Sequence, residues 1–271
     1  MIYIKYCILI LLTINAGAIG AQTATGSILD KSTGKPLAYA NIGLPGKNMG
    51  TTTDETGHYI LPLPGTNDGD TVKISIIGYL PQIVTVKDLL AYPNINLQPK
   101  NNELKEIVIK PKEFRQRVLG NTNNNKKLVI GFTSYKLGHE LGTIMKIKRR
   151  PTYIDSVRIN IAHCTADSVF FRLNISEEVD GEFNNILTQP IYISASTKDA
   201  LENLSVNLTK YNLVVRHDFL VSVEVVRELN NKEIFLCATM LGNKAYMRSV
   251  SQAPWTKIAI AGPSISAYVT Y

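Results

Sequence analysis

Gly26-Ser27-Ile28-Leu29-Asp30, Thr33-Gly34-Lys35-Pro36-Leu37, Ala40-Asn41-Ile42 and Gly50-Thr51-Thr52-Thr53-Asp54-Glu55-Thr56-Gly57-His58-Tyr59 are the pieces of sequence that decide the fold. Apolar residues recur in short alternating runs at Ile28, at Ala40 and Ile42, at Tyr59 and Leu61, and at Val72, Ile74 and Ile76. Gly, Pro, Asp and Asn separate these runs at intervals that suit tight turns, which is the pattern of a small β-sandwich. Asp54 to Gly57 reads as a turn whose last residue takes positive φ, where a side chain with a Cβ costs roughly 1–2 kcal/mol. Pro36 fixes φ and lacks a donor, so it suits a strand entry, and Tyr39 to Leu44 reads as the paired strand. A calcium site at Asp54 and Glu55 is poorly supported, because a hard cation needs about six or more oxygens and only this pair is adjacent.

These residues resemble the carboxypeptidase regulatory-like domain, a transthyretin-like seven-stranded β-sandwich of exported proteins in Gram-negative bacteria. The resemblance rests on Gly26 to Asp30, Pro36-Leu37, Ala40 to Ile42, Gly50 to Tyr59 and the later Ile76-Ile77-Gly78-Tyr79. Leu104-Lys105-Glu106-Ile107-Val108-Ile109 resembles the segment that trails this domain in TonB-dependent receptors. There it leads to a plug and a barrel of about 22 strands, which the remaining residues are too few to build. The resemblance therefore implies the receptors' N-terminal domain without plug and barrel.

The first residues read as a signal peptide over 1–21, with Lys5 before an apolar run from Ile8 to Ile14 and small residues from Ala16 to Ala21. No later segment reaches the roughly 18 apolar residues of a spanning helix, so the mature chain is expected to lack a transmembrane segment. The expected location is outside the cytoplasm: periplasm, outer membrane surface or medium. Charge is positive, with 29 Lys and Arg against 22 Asp and Glu giving +7, or +6 once Lys5 is removed. Basic clusters at Lys110 to Arg117, Lys126-Lys127 and Lys146 to Arg150 lack interleaved aromatics, so no nucleic-acid partner is expected. Cys164 and Cys237 remain after processing; two buried thiols are preferred over a disulfide.

The carboxypeptidase regulatory-like domain is placed at 22–98, a polar linker with Asn121, Asn123, Asn124 and Asn125 at 99–127, and a second β-sandwich of jelly-roll type at 128–271. The fold class is thus all-β. Val157 to Ile161, Val169 to Ile175 and Leu220 to Val225 alternate with period two, which implies one buried face and one wet face. Lys198 to Leu204 could form a helical turn or two. Gly138 to Thr143, Phe171 to Ile175, Asn185 to Leu187 with Pro190-Ile191, Leu208 to Leu213, Asp218-Phe219, Arg248 and Trp255 resemble secreted bacterial proteins in which such a sandwich follows a regulatory-like domain.

No catalytic residue, cofactor site or metal site is read from the chain. His58, His139, His163 and His217 all lack the Glu three residues on that a metallocarboxypeptidase needs, and Thr143 stands where His139-Glu140 would require a second His. The serine-hydrolase elbow and the glycine-rich nucleotide loops are absent, and Cys164 beside His163 is poorly placed for nucleophile and base. The expected function is non-enzymatic binding or structural work in the envelope with a protein or glycan partner. The alternative is a carbohydrate-binding protein or an accessory of a carbohydrate-active or peptidase enzyme. Trp255, Tyr192, Tyr211 and Tyr246 are the candidate ligand residues, with Trp255 read first as core, where truncation would cost roughly 3 kcal/mol or more.

Overall fold

A computed structural model describes residues 22–100, 115–133, 136–240 and 244–271. The signal-peptide reading over 1–21 and the Leu104 to Ile109 resemblance fall outside them. The described chain is all-β, in two layered assemblies with separate cores.

The first assembly holds β1 (Thr23–Asp30), β2 (Asn41–Leu44), β3 (Met49–Thr52), β4 (His58–Pro62), β5 (Thr71–Ser75), β6 (Gln82–Thr85), the short helix α1 (Val86–Ala91) and β7 (Ile95–Leu97). One sheet runs β4-β1-β7 and the other β3-β2-β5-β6. Alternate residues point between them, so Ile28, Ile42, Leu44, Tyr59, Leu61, Val72 and Ile74 form the core. The expected turn is present: Gly57 has φ 76° and donates its N–H to the Asp54 carbonyl at 3.2 Å. Asp54 Oδ1 accepts from Thr56 N at 2.8 Å and His58 N at 3.0 Å, so this carboxylate closes the turn.

Strand β2 starts at Asn41 and not at Tyr39, because Tyr39 sits at φ 60°, outside the extended region. The left-handed conformation of so bulky a residue costs of order 1–3 kcal/mol. Contacts with the second assembly offset that cost, as described below.

The second assembly begins with β8 (Gln116–Gly120), β9 (Val129–Phe132), β10 (Glu140–Met145), β11 (Thr152–Ile159), β12 (Ile161–Cys164) and β13 (Ser168–Val179). It continues with β14 (Glu182–Asn185), β15 (Ile191–Ser196), the helix α2 (Thr197–Asn203), β16 (Leu204–Asn207), β17 (Val214–Val215) and β18 (Phe219–Val225). The last strands are β19 (Ile234–Met240), β20 (Ala245–Arg248), β21 (Thr256–Ile258), β22 (Ala261–Pro263) and β23 (Ile265–Thr270). A seven-stranded sheet runs β14-β13-β18-β10-β20-β21, with β15 also on β13. A second sheet runs β16-β11-β23-β8 with β17 on β11, and a third β12-β19-β22 with β9 on β19. Among the described residues no helix is long and apolar enough to cross a membrane.

Two features depart from the sequence reading. Gln116 to Gly120, inside the stretch read as a linker, pairs antiparallel with β23 from Thr270 to Ser266. Asn121, in the same stretch, is buried: its Nδ2 donates to Thr239 Oγ1 at 2.9 Å and to the Gly262 carbonyl at 3.0 Å. Asn123 donates to the Ala238 carbonyl at 2.6 Å. Asparagine amides can satisfy strand-end carbonyls that would otherwise be orphaned, so an Asn-rich run can be a stitched edge as readily as a solvated linker.

The second departure concerns the large sheet. Phe171, Leu173 and Ile175 of β13 and Val221, Val223 and Val225 of β18 enter the core, as the alternation implies. The opposite face is not wet. Arg172 is 1% exposed, and Glu140 and Glu224 are fully buried.

Candidate functional site

The buried polar face follows from strand register. Arg172 on β13 lies opposite Glu224 on β18, Glu224 opposite Glu140 on β10, and Glu140 opposite Arg248 on β20. Four strands thus carry one row of charges, cation, anion, anion, cation, along a single face. Its formal sum is zero.

The row is tightly bonded. Arg172 Nη2 is 2.8 Å from Glu224 Oε2, to which Nε also donates at 3.0 Å. Arg248 pairs with Glu140 through its Nη2 and donates from Nε to Glu140 Oε2 at 2.7 Å. Asn174, two residues along β13, donates from Nδ2 to Glu140 Oε1 at 2.9 Å and to Glu224 Oε2 at 2.8 Å. Ser222 Oγ donates to Glu140 Oε1. Burial opposes the charge on Arg248, but Glu140 and then Glu224 outweigh it and hold its pKa above the ordinary value.

The first assembly covers this row. Arg172 donates from Nη1 to the Tyr39 carbonyl at 2.6 Å and from Nη2 to Asn41 Oδ1. The left-handed turn at Tyr39 thus accompanies a carbonyl bonded to the buried guanidinium. Its hydroxyl accepts from Arg227 Nε at 2.7 Å, and Arg227 also pairs with Glu55 at 2.6 Å. Farther along, Gln252 donates to Ser75 Oγ at 2.8 Å, and Ser249 Oγ donates to Asn48 Oδ1 at 3.1 Å. At Gly50, a Cβ would stand 1.9 Å from the Ser251 carbonyl oxygen. The glycine of the Gly50-Thr51-Thr52 motif is therefore a point of close backbone approach between the assemblies.

One end of the seam opens into a cleft of about 580 Å³, within the range of small-molecule sites. The first assembly contributes Asn41, Lys73, Ser75, Tyr79 and Lys100; the second contributes Arg172, Arg248 and Glu140 of the charged row and Asn174, Phe183 and Trp255. The β13–β14 hairpin, closed by Asp180-Gly181 with positive φ at both, delivers Phe183 to Asn185. Phe183 meets Trp255 edge to face at 5.6 Å and Tyr246 at 5.0 Å. Arg248 lies 4.7 Å from the centre of the Trp255 ring. Tyr79 donates to Asp30 Oδ2 at 2.8 Å, and burial followed by this bond pushes its pKa up to about 12.

The four aromatic candidates separate. Trp255 belongs to neither core cluster and stands half-buried in the cleft wall, which departs from its first reading as a core residue. Tyr246 is half-buried beside Phe183. Tyr192 lies elsewhere on the seam, opposite Arg172 on β15, and stacks on Phe170 at 5.6 Å with Tyr39 edge-on at 5.2 Å. Tyr211 packs against the second core, with Lys210 over its ring at 5.0 Å. Nothing local in the sequence marks Phe183, Asn174 or Lys73 as site residues. Arg172, Asn174, Glu140 and Arg248 stand in motifs with no assigned role.

Cys164 and Cys237 are free, Cys164 half-buried on β12 and Cys237 buried on β19. His139 and Glu140 diverge: the His139 ring packs against Phe132 at 4.9 Å, while Glu140 joins the charged row.

Comparison with known proteins adds the following. TonB-dependent receptor SusC of Bacteroides thetaiotaomicron is 30% identical over 131 residues, which cover 48% of this chain and 10% of the receptor. The chain thus spans about a tenth of the curated relative it matches. A solved structure of the cysteine protease and lectin-like domains of Cwp84, a surface layer associated protein of Clostridium difficile, overlaps 86% of this chain and 58% of its own. Its 9% identity and TM-score of 0.37 are too low to carry a functional comparison. Residues 24–109 match the CarboxypepD_reg-like domain family, and the described part of that stretch meets the second β assembly over an interface of buried charge.

Proposed function

We propose that the protein is a non-catalytic binding protein of the cell envelope that takes a glycan in the cleft between its two assemblies. The observation that carries this reading is the cleft itself: an aromatic wall of Trp255 and Phe183 beside amides and cations, including Asn184, Asn41 and Lys73. Sugars present apolar ring faces and hydroxyl edges together, and such a wall beside amide donors meets both. The two carboxylates of the charged row serve cohesion in this reading, because each is bound by an arginine and by Asn174. A carbohydrate hydrolase would need one of them free to exchange a proton and the other free to stabilise positive charge.

Export and envelope location are part of the proposal; they are supported by the CarboxypepD_reg-like domain and by the likeness to a TonB-dependent receptor. The test is a glycan panel followed by calorimetry on purified protein. Saturable binding that Trp255→Ala abolishes, with circular dichroism unchanged, supports the reading. Turnover of any bound glycan, or binding untouched by Trp255→Ala, overturns it.

A further inference from the structure

We infer that the glycan taken by this cleft is acidic, its carboxylate or sulfate received by Lys73 and Lys100. This deepens the glycan reading and rests on it. Arg172 is committed to Glu224 and Arg248 to Glu140, so these four charges cancel within the row. Two cations of the lining remain. Lys73 projects from β5 on the face turned toward the second assembly, half-buried, and Lys100 follows β7, exposed, with its backbone N–H fixed on the Gly78 carbonyl at 2.8 Å. Among the described residues, no carboxylate lies within ion-pair distance of either ammonium.

Among the described residues, the cleft therefore holds two positive charges with no paired carboxylate within a partly enclosed space, where low-dielectric walls focus the field on an incoming anion. A neutral sugar would leave both ammonium groups without a counter-charge while covering them, a desolvation cost that an acidic sugar removes. Trp255 lines the cleft from the second assembly, with Arg248 over its ring, and gives the anion an orientation: acidic group toward the first assembly, apolar sugar face toward the second. The signature is binding that weakens with added salt, because exposed ammonium groups are screened over about 8–10 Å at ordinary ionic strength.

The experiment uses the chain without residues 1–21, an array of carboxylated, sulfated and neutral oligosaccharides, and calorimetry on the best binder beside its carboxyl-reduced or desulfated counterpart. The expected result is binding to acidic members, lost on reduction or desulfation, and weakened about tenfold by Lys73→Gln with Lys100→Gln. Trp255→Ala should weaken acidic binding too. Equal affinity for the acidic and the neutral form, or no effect of the two lysine changes, overturns this inference and leaves the glycan reading standing. Failure to bind any member of the array overturns both.

Discussion

Replacing Arg172 by alanine tests the buried charge row directly. The guanidinium makes three hydrogen bonds, one each to Glu224 Oε2, the Tyr39 carbonyl and Asn41 Oδ1, and its Nη2 forms an ion pair with Glu224. In Arg172→Ala the row keeps Glu140 and Glu224 with Arg248 alone, one uncompensated negative charge in a fully buried position. Removing one partner of such a pair costs about 3–5 kcal/mol, because the other remains desolvated. Against a total stability of roughly 5–15 kcal/mol this is a large fraction. It falls on the seam, so the assemblies should separate before the strands melt. Urea unfolding followed by Trp255 fluorescence and by far-ultraviolet circular dichroism reads both events. Arg172→Ala should lose about 3–5 kcal/mol, with the fluorescence transition ahead of the dichroism transition. Arg172→Met with Glu224→Met removes both charges and should recover most of the loss, since an apolar pair of similar volume is often neutral there. A single mutant within about 1 kcal/mol of wild type, or a double mutant as unstable as the single, would refute the cohesive role of the row.

Three further outcomes follow from local geometry. Gly57→Val should destabilise the first assembly by more than about 1 kcal/mol, since φ there is 76° and the added Cβ would meet the Ile28 carbonyl oxygen at 2.9 Å; an unchanged denaturant midpoint would contradict the turn. Gly50→Ala should shift the fluorescence transition more than the dichroism transition, because its Cβ collides with the Ser251 backbone across the seam and not inside either core. Tyr79 has a folded pKa of about 12 against roughly 10 unfolded, so its stabilising effect is complete below pH ~10 and is lost as pH rises toward 12. Asp30, held below its usual range first by the Tyr79 hydroxyl, contributes above pH ~4 and loses that contribution as pH falls through its folded value. Stability against pH for Tyr79→Phe should lack the alkaline loss at this site, and a curve superimposable on wild type from pH 9 to 12 would contradict it.

The first assembly was legible in the sequence because each of its signals is local. Gly57 ends its own turn, Ile42 and Leu44 alternate within one strand, and no distant residue is needed to interpret either. The second assembly was legible in period but not in consequence. Alternation at Phe171 to Ile175 fixes which residues share a face; it cannot say whether solvent or protein covers the polar one. Arg172 and Arg248 reach the same row only after β13, β18, β10 and β20 pair in register, and sequence adjacency carries no trace of that order. The same holds for Trp255, whose partner Phe183 lies on a separate hairpin. Tyr39 illustrates a third limit. Its left-handed backbone contradicts the preference of a bulky residue, and the explanation lies in distant contacts, with Arg172 and Arg227 and with the Tyr192 ring.

Trp255 is the chain's single tryptophan and lies in the cleft wall, so its emission reports on the cleft alone. The decisive measurement is acrylamide quenching of that emission, titrated with the tightest-binding oligosaccharide of the array. The cleft account predicts a saturable loss of quencher access with the same midpoint as the calorimetric affinity. Full binding by calorimetry with quencher access unchanged would place the ligand elsewhere and contradict it.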